Sequence, residues 1–68
     1  MLELDVLLGN FLNEAYSSCS FEEQKIFADL LNYTDPELFA WLLGHEVPAD
    51  KNIAHITEQI RHHARARI

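Results

Sequence analysis

The sequence predicts an all-α protein, a compact bundle of about four short helices. Three observations predict it. Apolar residues recur at steps of three and four in four separate segments. Residue types that cap helices stand just ahead of three of those segments. No stretch alternates at period two for long enough to make a strand.

The first segment runs from about Leu2 to Tyr16. Leu4, Leu8, Phe11 and Ala15 form its apolar stripe, with Leu7 and Leu12 beside it, while Glu3, Asp5, Asn10, Asn13 and Glu14 fall mostly off it. Gly9 interrupts the segment at a cost of about 1 kcal/mol relative to Ala, so a break or a close helix contact is expected there.

The second segment opens at Ser20. Its hydroxyl is placed to accept from the Glu23 N–H while the Glu23 carboxylate reaches back to the Ser20 N–H, the reciprocal pattern of a capping box. Ile26, Phe27, Leu30 and Leu31 follow, and the helix fades at Asn32-Tyr33. The third starts with Asp35 as expected N-cap and Pro36 at the first helical position. Leu38, Phe39, Trp41, Leu42 and Leu43 make it apolar nearly all round, so it is buried on several sides or lends surface to a partner. Gly44 stops it. Asp50 caps the last segment, which runs to about Ala66 with Ile53, Ile56 and Ile60 toward the core.

All 68 residues are expected to form one domain. A chain this short buries only about 60% of its unfolded surface. One cysteine allows no internal disulfide, so packing must suffice, and an apolar fraction of 49% argues against disorder. A lone thiol fits a reducing compartment. No basic leader precedes an apolar run, and no run is long enough to cross a bilayer. The expectation is a cytoplasmic, bacterial protein without membrane insertion.

Charge is unevenly distributed. Residues 1–50 hold ten acidic groups and one basic, Lys25; residues 51–68 hold four basic groups and Glu58. The acidic body repels phosphate backbones, so no nucleic-acid partner is expected. The basic run Arg61 to Arg67 has two readings, contact with RNA or an acidic surface, or cations at the negative end of a final helix; the second is preferred.

Catalytic readings find little support. His55, Glu58, His62 and His63 have no recognised zinc spacing and no second thiolate, so they read as solvated histidines beside a carboxylate. Cys19 sits in a Ser-Ser-Cys-Ser run with no neighbouring cation to stabilise a thiolate. Two glycines provide no phosphate-cradling loop. No enzyme activity and no bound cofactor or metal are expected. Binding remains, with Met1, Phe11, Tyr16, Phe21, Tyr33 and Trp41 as candidates for exposure; for Phe27, Phe39 and Trp41 packing is preferred. At the start, Glu3 and Asp5 alternate with Leu2, Leu4 and Val6.

The string Thr34-Asp35-Pro36-Glu37-Leu38-Phe39-Ala40-Trp41-Leu42-Leu43-Gly44-His45, followed by Pro48-Ala49-Asp50, resembles the FAD assembly factors of succinate dehydrogenase, the SdhE family, also described as CptB-type antitoxins. Met1-Leu2-Glu3-Leu4-Asp5 matches the end of that family's Arg-Gly-x-x-Glu-Leu-Asp motif, and Ser20-Phe21-Glu22-Glu23-Gln24-Lys25 fits its second-helix start. Family members carry a further basic and aromatic segment that includes the Arg and Gly; this chain starts at the motif's third position. The family is a five-helix bundle, of which this chain supplies about four helices.

The resemblance implies a chaperone-like factor. It binds the flavoprotein subunit of succinate dehydrogenase, or of fumarate reductase, and favours attack of that subunit's own histidine on the flavin. Glu3 and Asp5, and more weakly Met1, carry over as partner-binding residues. An antitoxin in a toxin–antitoxin pair is the alternative. Without the family's first helix, uncovered apolar surface makes self-association an expectation.

Overall fold

In the computed structural model, residues 2–66 are described. They form α1 (Leu2–Glu14), a 3-10 turn (Tyr16–Ser18), α2 (Phe21–Leu30), α3 (Asp35–Leu42) and α4 (Lys51–Ala66). The all-α, four-helix expectation holds, and no strand occurs among the described residues. The Cα radius of gyration, 10.9 Å, is that of a compact chain of this length.

α4 is the central element, in contact with α1, α2 and α3. Its stripe Ile53, Ile56 and Ile60 meets Leu4 and Phe11 of α1, Phe27 and Leu30 of α2, and Leu38 and Leu42 of α3 in one buried core. Each such side chain contributes about 1.5–3 kcal/mol of transfer free energy. Thr57 is buried too, and its hydroxyl donates to the Ala54 carbonyl at 2.9 Å, so no polar atom of that side chain is stranded. Phe11, a candidate for exposure, is instead a core residue stacked on Phe27 at 5.5 Å between ring centroids. Trp41 is half-buried, with Tyr33 edge-on at 4.9 Å.

The capping box of α2 is present as expected: Glu23 N–H donates to Ser20 Oγ (3.1 Å) and Ser20 N–H to Glu23 Oε1 (2.9 Å). α3 departs from expectation. Its N-cap is Thr34, not Asp35, and Pro36 is the second helical residue. The cause is a second capping box: Glu37 Oε1 accepts from the Thr34 N–H (3.1 Å) and hydroxyl (2.9 Å), and Thr34 Oγ1 accepts from the Glu37 N–H (3.4 Å). Asp35 lies one residue too late to close that ring.

At the other end Gly44 takes φ +82°, His45 N–H donates to the Ala40 carbonyl (2.8 Å) and Gly44 N–H to that of Trp41 (3.3 Å). This is a Schellman stop, and it requires the left-handed residue. Asp50 caps α4 as expected, accepting from Asn52 N–H (2.8 Å) and Ile53 N–H (3.2 Å).

Two helix ends fall earlier than expected. α1 yields to the 3-10 turn after Glu14, and α2 stops at Leu30 because Leu31, Asn32 and Tyr33 turn back on Phe27, Asp29 and Leu30. Gly9 neither breaks α1 nor admits a neighbouring helix: a Cβ there would have no atom within 4 Å.

Candidate protein-binding surface

α1 has two unlike faces because its apolar residues are spread over more than one stripe. Leu4 and Phe11 enter the core, with Leu7, Leu8 and Ala15 packed against it. Leu2, Val6 and Leu12 project outward at 75%, 51% and 49% exposure. The sequence sets Leu12 beside the core stripe; its position on the wheel, about 100° beyond Phe11 and about 40° beyond Leu8, carries it to the outer edge.

Glu3 and Asp5 are both exposed in the first turn of α1, next to Leu2 and Val6. Both carboxylates lie at the positive end of the helix, which favours them there whatever else they do. No other described side chain is paired with either. The third expected partner-binding residue, Met1, lies outside the described residues.

The remaining polar groups are largely tied to one another. Glu23 connects α2 to α4: its Oε2 accepts from Gln59 Nε2 at 2.7 Å and lies 3.5 Å from His55 Nε2. The Ser20 backbone N–H, the Gln59 amide and then His55 hold its carboxyl down at about 2. His63 is half-buried. Its Nε2 lies 2.9 Å from Glu14 Oε1 and its ring stands edge-on to Phe11 at 5.8 Å. It joins α1 to α4 and is not a solvated histidine. The signal was present, because position 63 continues the 53–56–60 stripe. Nothing in the sequence singled out Gln59. Glu58 is paired with Arg61 (3.2 Å) and Arg65 (3.4 Å) of its own helix, and Arg65 stands in the last turn of α4.

A groove of about 530 Å3 lies where these contacts meet, with Phe11, Ala15, Cys19, Glu23, Gln59 and His63 in its walls. The Cys19 Sγ donates to the Ala15 carbonyl at 3.4 Å. Burial, and then the charge of Glu23, push the thiol up, the reverse of what a nucleophile needs. Among the described residues, no three His, Cys, Asp or Glu side chains converge as a metal would require. No described helix is long and apolar enough to cross a membrane.

The described residues form a small all-α bundle whose first helix carries exposed apolar side chains beside two exposed carboxylates, Glu3 and Asp5. The sequence profile of the Sdh5 family, flavinator of succinate dehydrogenase, matches residues 1–64. Among curated proteins, an FAD assembly factor SdhE of Shewanella oneidensis is 48% identical over 61 residues, covering 90% of this chain and 74% of that one. One from Coxiella burnetii is 43% identical over 61 residues, again 90% and 74%. One from Colwellia psychrerythraea is 53% identical over 53 residues, where this chain spans 58% of its length. No solved structure matches significantly. The chain belongs to the SdhE family of FAD assembly factors.

Proposed function

We propose that this protein binds the flavoprotein subunit of succinate dehydrogenase, with that of fumarate reductase as a second client, and promotes covalent attachment of FAD to it. Family membership supports the client, since the matching family is described as flavinator of succinate dehydrogenase. The observation that carries the surface is the first turn of α1, where exposed Glu3 and Asp5 flank exposed Leu2 and Val6. Apolar side chains that gain by leaving water, set beside carboxylates that select basic neighbours, make a docking patch for a protein.

The protein acts by holding. The flavoprotein supplies the histidine that bonds the flavin, and this chain contributes no reacting group. A factor that keeps a client's reactive atoms in register lowers the barrier by several kcal/mol through positioning alone. Met1 is a further proposed partner-binding residue on the family resemblance alone.

The test is reconstitution of apo flavoprotein with FAD, followed by denaturing electrophoresis and in-gel flavin fluorescence. Covalent flavin should form faster with this protein present, and a complex with the apo subunit should be isolable. Equal rates with and without it would remove the proposal.

A further inference from the structure

The groove between α1, the 3-10 turn, α2 and α4 carries a negative charge that no described lysine or arginine neutralises. Its lining holds two carboxylates, Glu23 and Glu58, and no described Lys or Arg. Glu58 is paired with Arg61 and Arg65. Glu23 is served by the Ser20 N–H, the Gln59 amide and the His55 ring nitrogen, none of them a fixed cation. The positive end of α2 offsets about half a charge at most. The Glu23 carboxyl is held at about 2, so its charge is present at every physiological pH.

Gln59 adds a second unmet demand. Its Nε2 donates to Glu23 Oε2 at 2.7 Å, and its Oε1 is buried without a hydrogen-bond partner. Exchanging the two amide atoms would not help, because it would set an oxygen against the carboxylate. A buried acceptor without a donor is costly. Glu23 Oε1 also has a lone pair left after the Ser20 bond. Both residues therefore call for N–H donors. Around them the lining is apolar or weakly polar, with Phe11, Ala15, Cys19 and Ala66. At about 530 Å3 the groove has the size of a ligand site.

The complementary group is a planar cation with several donors on an apolar stem. Arginine has that form. Its five N–H groups stand in a fixed fork that can serve a carboxylate and an amide oxygen together, while its methylenes rest on apolar walls. The last torsion of Gln59 is soft, so a small rotation turns Oε1 toward an entering guanidinium. We infer that this groove receives an arginine side chain of the protein that this chain holds, the guanidinium bridging the Glu23 carboxylate and Gln59 Oε1. The identity of that protein rests on the flavoprotein reading; the preference of the groove for arginine does not.

The test has two arms. In the first, the end-blocked tripeptide Ala-Arg-Ala is titrated to about 20 mM into the full chain while backbone amide shifts are followed by NMR. Binding on the order of 1 mM is expected, with the largest shifts at Ala15, Cys19 and Gln59. The same peptide with neutral citrulline in place of arginine should bind at least about threefold more weakly. Equal binding of the two peptides, shifts centred on the exposed Glu3 and Asp5, or no shift at all would overturn the inference.

In the second arm Glu23→Gln is compared with the parent. Glutamine serves a capping box as glutamate does, so α2 should form, which circular dichroism checks. The variant should lose the preference for arginine over citrulline and hold apo flavoprotein at least about threefold less tightly. If the parent forms no complex with apo flavoprotein, the client reading fails and the peptide arm decides the groove. If parent and variant hold the client equally, the groove takes no arginine from it and the inference fails.

Discussion

Gln59 Nε2 donates to Glu23 Oε2 at 2.7 Å while the other oxygen of the same carboxylate accepts the Ser20 N–H at 2.9 Å. One side chain thus closes the start of α2 and ties it to the middle of α4. Local capping and tertiary packing are joined at that point, and Glu23 is the group through which acid should reach the fold.

The sign follows from the direction of the shift. Glu23 titrates at about 2 in the folded protein against 4.5 ordinarily, held down first by the Ser20 N–H and then by Gln59. A depressed folded value contributes stability that is complete above the ordinary value and lost as pH falls toward the folded one. Thermal midpoints should therefore decline from about pH 4.5 to about pH 2, and Glu23→Gln should flatten that decline. A variant that keeps the full acid dependence would mean that other carboxylates carry it.

Core truncation has a large expected effect because the core is small. Ile56 is fully buried at the centre of α4, where all three other helices converge. Ile56→Ala should cost about 2–5 kcal/mol in urea unfolding. Proteins carry about 0.05–0.15 kcal/mol of stability per residue, so this is a large share of the total for a chain of 68. The variant should be partly unfolded at 37 °C, as near-ultraviolet circular dichroism would show.

The two glycines should respond in opposite ways. At Gly9 a Cβ meets nothing, so Gly9→Ala should stabilise the monomer by about 0.5–1 kcal/mol through helix propensity. At Gly44 the backbone is left-handed, at φ +82°, and a Cβ would lie 3.0 Å from Arg61 Nη2. Gly44→Ala should destabilise by about 1–2 kcal/mol, set by the backbone conformation, since the guanidinium can move away. Thermal melting of the two variants beside the parent reads both effects.

The cap of α3 shows how much of the fold was legible. Helix number, the Ser20–Glu23 box, the Gly44 stop and the Ile53–Ile56–Ile60 stripe all depend on local chemistry, and the structure has each where the sequence puts it. The box at Thr34 and Glu37 was equally local, but Asp35-Pro36 offered a competing start one residue later. Thr34→Ala should cost about 1 kcal/mol and Asp35→Ala less, which urea titration resolves. What the sequence could not show was which helices meet. The Gln59–Glu23 contact joins residues 36 apart, and the outward turn of Leu12 depends on where Leu4 and Phe11 dock. Of the expected partner-binding residues, Glu3 and Asp5 are exposed; among the residues expected to be exposed, Phe11 lies in the core instead, stacked on Phe27.

The docking reading makes the sharpest demand on Glu3 and Asp5. Both are exposed in the first turn of α1, so removing either leaves the core untouched and forfeits only a helix-end interaction of about 0.3–1 kcal/mol. Glu3→Ala and Asp5→Ala should therefore melt close to the parent protein. If the carboxylates face basic groups of the flavoprotein, each loss should weaken the complex by about five- to thirty-fold, the effect of a 1–2 kcal/mol contact. Charge reversal at Glu3 should do more, and raising salt should narrow the gap between parent and variant because screening removes the same attraction. Isothermal titration with apo flavoprotein at two salt concentrations reads all of this. Variants that bind as tightly as the parent would place the docking surface elsewhere, and the exposed pair Leu43 and Val47 beyond α3 would be the next region to substitute.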